Sequence, residues 1–323
     1  MIDRRQRLKT QAVEHMLTYL IILLDDTSVS YCHYTIGRVK RRLIGINDLR
    51  AGILFAMKEN LNIQFVYPDY ELPDEYKMVI DSIDHIKIGP TSCREDLDII
   101  IVDNLNFDPN DKKSYLWRCT LNGFGLNKDN IANILHKVYR LNVVLTDIPN
   151  WKDKELEFYK ENLDYLTDKI LIHFQRGTPV QLNLITDRFM LGKMNNCNAG
   201  NTNVTLAPDG RFYICPAFYS NAHIGSLKDG LEIPNKQLFS IDHAPICLKC
   251  DAFQCKRCVW MNQMMTLDCN IPSYQQCVAA HLERNASRKL LSLIKTKGIQ
   301  LCDVFDIEEL DYLDPIINII KWN

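Results

Sequence analysis

The sequence predicts an α/β fold: an incomplete (β/α) barrel of about six parallel strands, followed by a small cysteine-rich α+β domain. Three observations predict it. Up to residue 190, short apolar runs alternate with amphipathic helical segments, as right-handed βαβ units require. The first such run, Thr18–Leu24, is continuously apolar and of strand length, the pattern of a strand buried on both faces of a parallel sheet. From Cys197 to Cys277 the texture changes to a stretch holding eight of the twelve cysteines. An open doubly wound sheet satisfies the same alternation, but no G-x-G-x-x-G and no P-loop occurs, so a nucleotide-binding reading lacks its fingerprint.

Residues 1–17 are polar and basic and predict a short helix. After the first strand, Asn47 is placed to cap a helix with Leu49, Ile53, Ala56 and Met57 on one face. A strand over Asn62–Tyr67 follows, then a helix opening near Pro73-Asp74-Glu75 and strands over His85–Ile88, Leu97–Val102 and Tyr115–Leu121. Asn127 starts a helix with Ile131, Ile134, Leu135 and Val138 on one side, and Asn142–Thr146 is the next strand. Leu156, Tyr159, Leu163, Leu166, Ile170 and Phe174 stand at helical spacing and lead to a strand over Val180–Ile185. Beyond residue 190, Asn203–Leu206 and Phe212–Ile214 flank Pro208-Asp209-Gly210, a hairpin signal. His281–Lys297 reads as helix, and the tail from Ile307 as two short helical pieces split at Pro315. The domain boundaries expected are 1–190, 191–285 and a helical tail over 286–323.

The chain has 323 residues and a formal charge of −2, so no global field draws it to nucleic acid or an anionic membrane. Tyr19–Leu24 is too short to span a bilayer and ends in Asp25-Asp26, unlike a signal peptide. A cytoplasmic protein is expected, in which cysteines remain thiols and serve as metal ligands rather than a disulfide framework.

The eight cysteines are Cys197, Cys215, Cys247, Cys250, Cys255, Cys258, Cys269 and Cys277. Cys247-Leu-Lys-Cys250 and Cys255-Lys-Arg-Cys258 are C-x-x-C pairs, which turn two thiolates toward one point. Thiolates so placed select zinc or iron–sulfur clusters over hard cations, and eight sulfurs suffice for two four-ligand sites. All-cysteine zinc sites fit the pairs equally well by local geometry. Buried structural thiols are the alternative to both.

The run from Cys197 to Cys277 resembles the SPASM domain, the cluster-binding extension of many radical-SAM peptide-modifying enzymes. That domain has a Cys, a Gly-x4-Cys, then C-x2-C-x5-C-x3-C and a closing Cys. Here Cys197 leads to Gly210-x4-Cys215, and Ile224-Gly225-Ser226-Leu227 looks like its usual Gly-Asn-Leu-type turn. The later spacings depart: Cys250 to Cys255 is x4, Cys255 to Cys258 is x2, and Cys269 precedes the closing Cys277. The resemblance implies one or two [4Fe–4S] clusters, with Zn the alternative. It implies Cys197, Cys215 and Cys258 in one set, completed by Cys269, and Cys247, Cys250, Cys255 and Cys277 in the other.

A radical-SAM core carries C-x3-C-x2-C after its first strand. Here that loop reads Asp25-Asp-Thr-Ser-Val-Ser-Tyr-Cys32-His33-Tyr34, and no triad occurs in residues 1–196. The second strand also lacks the Gly-Gly-Glu of that family. The chain therefore looks like a radical-SAM relative without the site for SAM cleavage, similar to the CXXX repeat peptide maturase family. That similarity implies a cysteine-rich precursor peptide or a radical-SAM enzyme as partner; the near-neutral charge and the lack of a long apolar run argue against a membrane and against nucleic acid. Cys32 and His33 are the catalytic candidates: a relic of the triad, a ligand pair, or a nucleophile with its base. The bland reading of Cys32 is a small buried residue, and it is the preferred one for Cys93, Cys119 and Cys302.

His223 and His243 lie near enough in sequence to replace a thiolate, against the commoner surface role. Arg38-Val-Lys-Arg-Arg42, the one basic run, reads first as a solvated loop, second as a dock for an acidic peptide or partner protein and third as a nucleic-acid contact. Trp260, Met261, Met264 and Met265 read as shielding for a metal site, and Asp25 and Asp26 as strand-end carboxylates.

Overall fold

The aliphatic runs of the first half pair in chain order into one curved parallel sheet. A computed structural model describes residues 17–35, 37–109, 112–190, 197–219 and 221–300. Strand β1 (Tyr19–Leu23) pairs with β2 (Asn62–Val66), and β3 (Ile86–Gly89), β4 (Ile99–Val102), β5 (Ser114–Cys119) and β6 (Arg140–Leu145) follow in the same direction. Helices α1 (Ile46–Lys58), α2 (Asp74–Ile80), α3 (Leu121–Leu126), α4 (Lys128–Ile134) and α5 (Asp153–Gln175) fill the crossovers and the outer layer. This is the expected incomplete β/α barrel.

The cysteine-rich part begins by extending the same sheet. Strand β7 (Asn203–Leu206) pairs in parallel with the free edge of β1, Tyr19 opposite Asn203, and β8 (Phe212–Tyr213) returns antiparallel. The sheet thus has eight strands in the order β6-β5-β4-β3-β2-β1-β7-β8. All four residues of β7 are buried, so the hairpin covers β1 on the side the barrel leaves open. Gly210 makes the turn at φ +74°, where its amide bonds the Ala207 carbonyl at 3.0 Å. Beyond it, β9 (Gly225–Ser226) and β10 (Gly230–Leu231) form a short ribbon. Gly225, at φ +133°, leaves no room for a Cβ, which would lie 2.1 Å from the Gly230 carbonyl oxygen.

Three local expectations change. The strand over Val180–Ile185 is reduced to a single bridge, Leu141 opposite Leu182. There the Asn183 side chain takes over the ladder, accepting from Val143 N at 2.8 Å and donating to Val143 O at 2.9 Å. The fifth strand ends at Cys119 because the Thr120 hydroxyl caps α3, accepting from Gly123 N. The first helix starts one residue before Asn47, with Gly45 as its N-cap. The expected helix over residues 1–17 and the tail from Ile307 lie outside the described residues, apart from Leu17.

Helix α5 buries the face expected of it, Leu156 through Phe174. It packs along α8 (Tyr274–Thr296), the last described helix, preceded by α6 (Asp187–Met190) and α7 (Val259–Thr266). The α8 helix crosses residue 285 without interruption and joins the barrel's outer layer to the cysteine-rich loops. No described helix is long and apolar enough to cross a membrane.

Candidate metal centre

The loop after β1 crosses the C-terminal edge of the barrel sheet, where β/α folds place their sites. Ser28 Oγ donates to Val66 O at 2.8 Å, at the end of β2, and Val29 N to Tyr67 O at 3.0 Å, just beyond it. Arg118, near the end of β5, donates from Nε to Cys32 O at 2.8 Å and from Nη2 to Tyr34 O. His33 Nδ1 donates to Leu145 O at 2.8 Å, at the end of β6. Residues 28–34 therefore span the barrel mouth from β2 to β6, and Tyr34 is almost fully buried there. The His33 ring is held on a backbone carbonyl, and burial lowers its pKa from the ordinary histidine value.

This path brings Cys32 among three cysteines of the later stretch. Its thiol stands within electrostatic reach of Cys258 and Cys197, and the Cys215 thiol within reach of Cys32, Cys258 and Cys197. Burial, then the neighbouring thiols, push Cys32 and Cys215 well above the ordinary range. Burial likewise pushes Cys258 up to about 12. Crowded thiols of this kind oppose one another's ionisation and become thiolates together only around a cationic centre, which fits a metal-holding role.

Cys247, Cys250 and Cys255 form a second group. Cys255 lies within reach of Cys247 and Cys250, and burial pushes it up to about 12. Backbone amides donate to two of these sulfurs at 3.4 Å, Ala252 N to Cys250 and Arg257 N to Cys255. The Cys250 sulfur also lies 3.4 Å from His281 Nε2. Cys277 is one helical turn ahead of His281 on α8, on the same helical face. His281 was not among the expected site residues; its spacing of four from Cys277 was the available signal. His223 and His243, which were considered, are exposed.

Between the two groups lies Arg257, 2% exposed and in the left-handed region at φ +45°. Its guanidinium donates to Asn270 Oδ1 at 2.9 Å and to Phe239 O, while Nε has no hydrogen-bond partner. Cys247, Cys255, Cys197 and Cys269 all face its charge. A buried cation with an unspent donor between thiol groups is suited to a bound anionic centre. Cys269 donates its thiol proton to Gln263 Oε1 at 3.3 Å. Among the described residues, no three His, Cys, Asp or Glu side chains converge tightly enough to hold a single metal ion.

The basic run is not a solvated loop throughout. Arg42 pairs with buried Asp26 at 3.1 Å, Arg38 lies 3.8 Å over the Tyr219 ring, and the Tyr219 hydroxyl donates to Asp26. Asp25 is likewise internal, accepting from Thr27 N at 2.7 Å and Tyr70 OH at 3.0 Å. Met261 is buried, whereas Met264 and Met265 are exposed. Cys93 is a buried thiol donating to Pro90 O at 3.0 Å, Cys119 is half-buried, and Cys302 lies outside the described residues. A separate cleft of 580 Å³, lined by Tyr67, Lys77, Arg94 and Asp96 among others, includes none of the expected ligands.

Half-buried Glu283 on α8 accepts from Tyr159 OH at 2.8 Å, and burial pushes its carboxyl from 4.5 up to about 7. The folded chain holds this proton more tightly than the unfolded one, so the carboxyl's effect on stability worsens as pH rises from 4.5 to about 7. Glu283→Gln keeps the acceptor for Tyr159 and removes the charge. It is expected to be the more stable protein at pH 8 by at most about 3 kcal/mol, with the gain vanishing near pH 4. Urea titrations at the two pH values measure this; an equal difference at both would contradict it.

No family model matches the sequence, and no curated protein matches it. Among solved structures, the fold is similar to that of native anSMEcpe with bound AdoMet and Cp18Cys peptide. That match has a TM-score of 0.57 and 14% identity, covering 87% of this chain and 99% of that one. A histidine-tagged form of anSMEcpe with bound AdoMet matches with a TM-score of 0.56 and 15% identity, over 86% and 96% of the two chains. Native anSMEcpe with bound AdoMet and Kp18Cys peptide gives a TM-score of 0.55 at 15% identity, over 86% and 99%. The chain shares the α/β fold of these anSMEcpe structures.

Proposed function

We propose that this protein is an iron–sulfur component of a system that matures ribosomally synthesised peptides, and that it does not cleave SAM by itself. The observation that supports this best is the gathering of two cysteine groups beside a barrel mouth crossed by the loop over residues 28–34. The similar anSMEcpe structures hold AdoMet, two of them together with a Cp18Cys or a Kp18Cys peptide. Here the loop after β1 offers one cysteine where the radical-SAM pattern has three, and its backbone is bonded across the sheet edge. The partner in this reading is a cysteine-rich precursor peptide of the CXXX kind, or the radical-SAM enzyme that acts on it.

Cys197, Cys215 and Cys258 would hold one cluster, and Cys247, Cys250, Cys255 and Cys277 the other. A bound cluster supplies one-electron transfer, or an open iron for a substrate thiolate. The protein's own residues do the rest. Arg257 places a fixed positive charge between the groups, and backbone amides donate to the Cys250 and Cys255 sulfurs.

Two assays on iron-loaded protein test the reading. A synthetic cysteine-repeat peptide is expected to bind in isothermal titration, and its serine-for-cysteine version to bind at least tenfold more weakly. Reduced protein given SAM is expected to release no 5′-deoxyadenosine. Equal binding of both peptides, or release of 5′-deoxyadenosine, would contradict it.

A further inference from the structure

Cys32 and the segment after Cys215 are held to the same edge of the barrel by bonds that involve no sulfur. On one side, Arg118 grips the Cys32 and Tyr34 carbonyls and His33 bonds Leu145 O. On the other, Tyr219, four residues beyond Cys215, reaches Asp26 at the end of β1, and Arg38 and Arg42 close over the pair. Cys197 is fixed by its own backbone, its N–H bonding Lys256 O at 3.0 Å and its carbonyl accepting from Asn203 at 2.6 Å. Cys258 N donates to Gln276 Oε1 at 2.9 Å. The scaffold therefore presents four thiols to one space from four separate stretches of chain.

We propose that Cys32 supplies the fourth thiolate of a cluster site shared with Cys197, Cys215 and Cys258, so that the first barrel loop and the cysteine-rich segment hold one inorganic group between them. This rests on the iron–sulfur reading above and refines its ligand set. The four thiols lie within electrostatic reach of one another: Cys32 and Cys258 each face Cys197, and Cys215 faces all three. The buried Tyr34 side chain borders the same space, within reach of the Cys32 and Cys215 sulfurs. Cys269 instead faces Arg257 and Asp268 and bonds Gln263, and it drops out of this set.

The site would act as a staple. With the group bound, the loop over residues 28–34 cannot leave the barrel mouth without breaking a sulfur–metal bond. With it removed, that loop is held by hydrogen bonds, those of Ser28, Val29, Arg118 and His33 among them.

The test is the iron and acid-labile sulfide content of wild type, Cys32→Ser, Cys258→Ser and Cys269→Ser, each reconstituted without oxygen. Cys32→Ser and Cys258→Ser are expected to lose the same half of the iron and sulfide, and Cys269→Ser to lose none. Full iron in Cys32→Ser, or the loss appearing in Cys269→Ser instead, overturns the assignment. Should Cys32→Ser not fold, alkylation of wild type decides. Cys32 is expected to be protected with Cys197, Cys215 and Cys258 in loaded protein, and labelled with them after chelation. Labelling of Cys32 in fully loaded protein overturns it. Zinc in place of iron in the wild type sinks the iron–sulfur reading alone; the four-thiol site then stands if Cys32→Ser loses one zinc, and falls if it does not.

Discussion

Replacing Arg284 by alanine is expected to destabilise the protein by about 3–5 kcal/mol, because it strands a buried carboxylate. Arg284 on α8 pairs with Asp251, the residue after Cys250, and both side chains are at most 5% exposed. The pair is seated between Gln254, which donates to Ala280 O at 2.6 Å, and the Cys250–His281 contact. Breaking it leaves Asp251 charged with no cation in a dry position and loosens the second cysteine group from the helix that carries Cys277. The paired change Arg284→Met with Asp251→Leu removes both charges and is expected to recover most of the loss. Denaturant unfolding of the three proteins measures this. A single variant as stable as wild type would show that the pair is solvated.

Arg257→Ala is expected to cost a similar amount, about 3–5 kcal/mol, by a different route. Two charge-assisted hydrogen bonds disappear, a long buried side chain leaves a cavity, and the Phe239 carbonyl loses its donor. Relief of the left-handed backbone offsets none of this, since alanine is strained there too. Arg257→Lys keeps the charge but not the planar fork, so it is expected to recover only part of the stability. Arg257→Ala should also hold metal less well, because Cys197, Cys247, Cys255 and Cys269 lose the cation they face. Full stability and full metal content in Arg257→Ala would remove Arg257 from the account.

The parallel half barrel was legible because two of its strands read as unbroken apolar runs, Tyr19–Leu23, buried along nearly its whole length, and the half-buried Ile99–Val102. The hairpin was legible from Pro208-Asp209-Gly210, a local signal with a local cause. Its docking on β1 was not, because strand pairing across most of the chain leaves no pattern in either strand. The same distinction separates the cysteines. Cys247, Cys250, Cys255 and Cys258 announce themselves by short spacing, whereas the nearness of Cys32 to Cys197, Cys215 and Cys258 depends on the path of one loop over the barrel. Arg38 and Arg42 misled for a related reason: a basic run reads as solvated until Asp26 and Tyr219 are found beneath it. Asn183 shows the converse, an apolar stretch that looks like a strand but pairs through a side chain.

The most direct measurement of the central claim is the iron, sulfide and zinc content of protein purified without oxygen, taken with its optical spectrum. Two filled four-iron sites predict about eight irons and about eight sulfides per chain, with a brown charge-transfer absorption that bleaches on reduction. Colourless protein holding two zinc ions and no sulfide would contradict the account and leave a zinc-held binding module in its place.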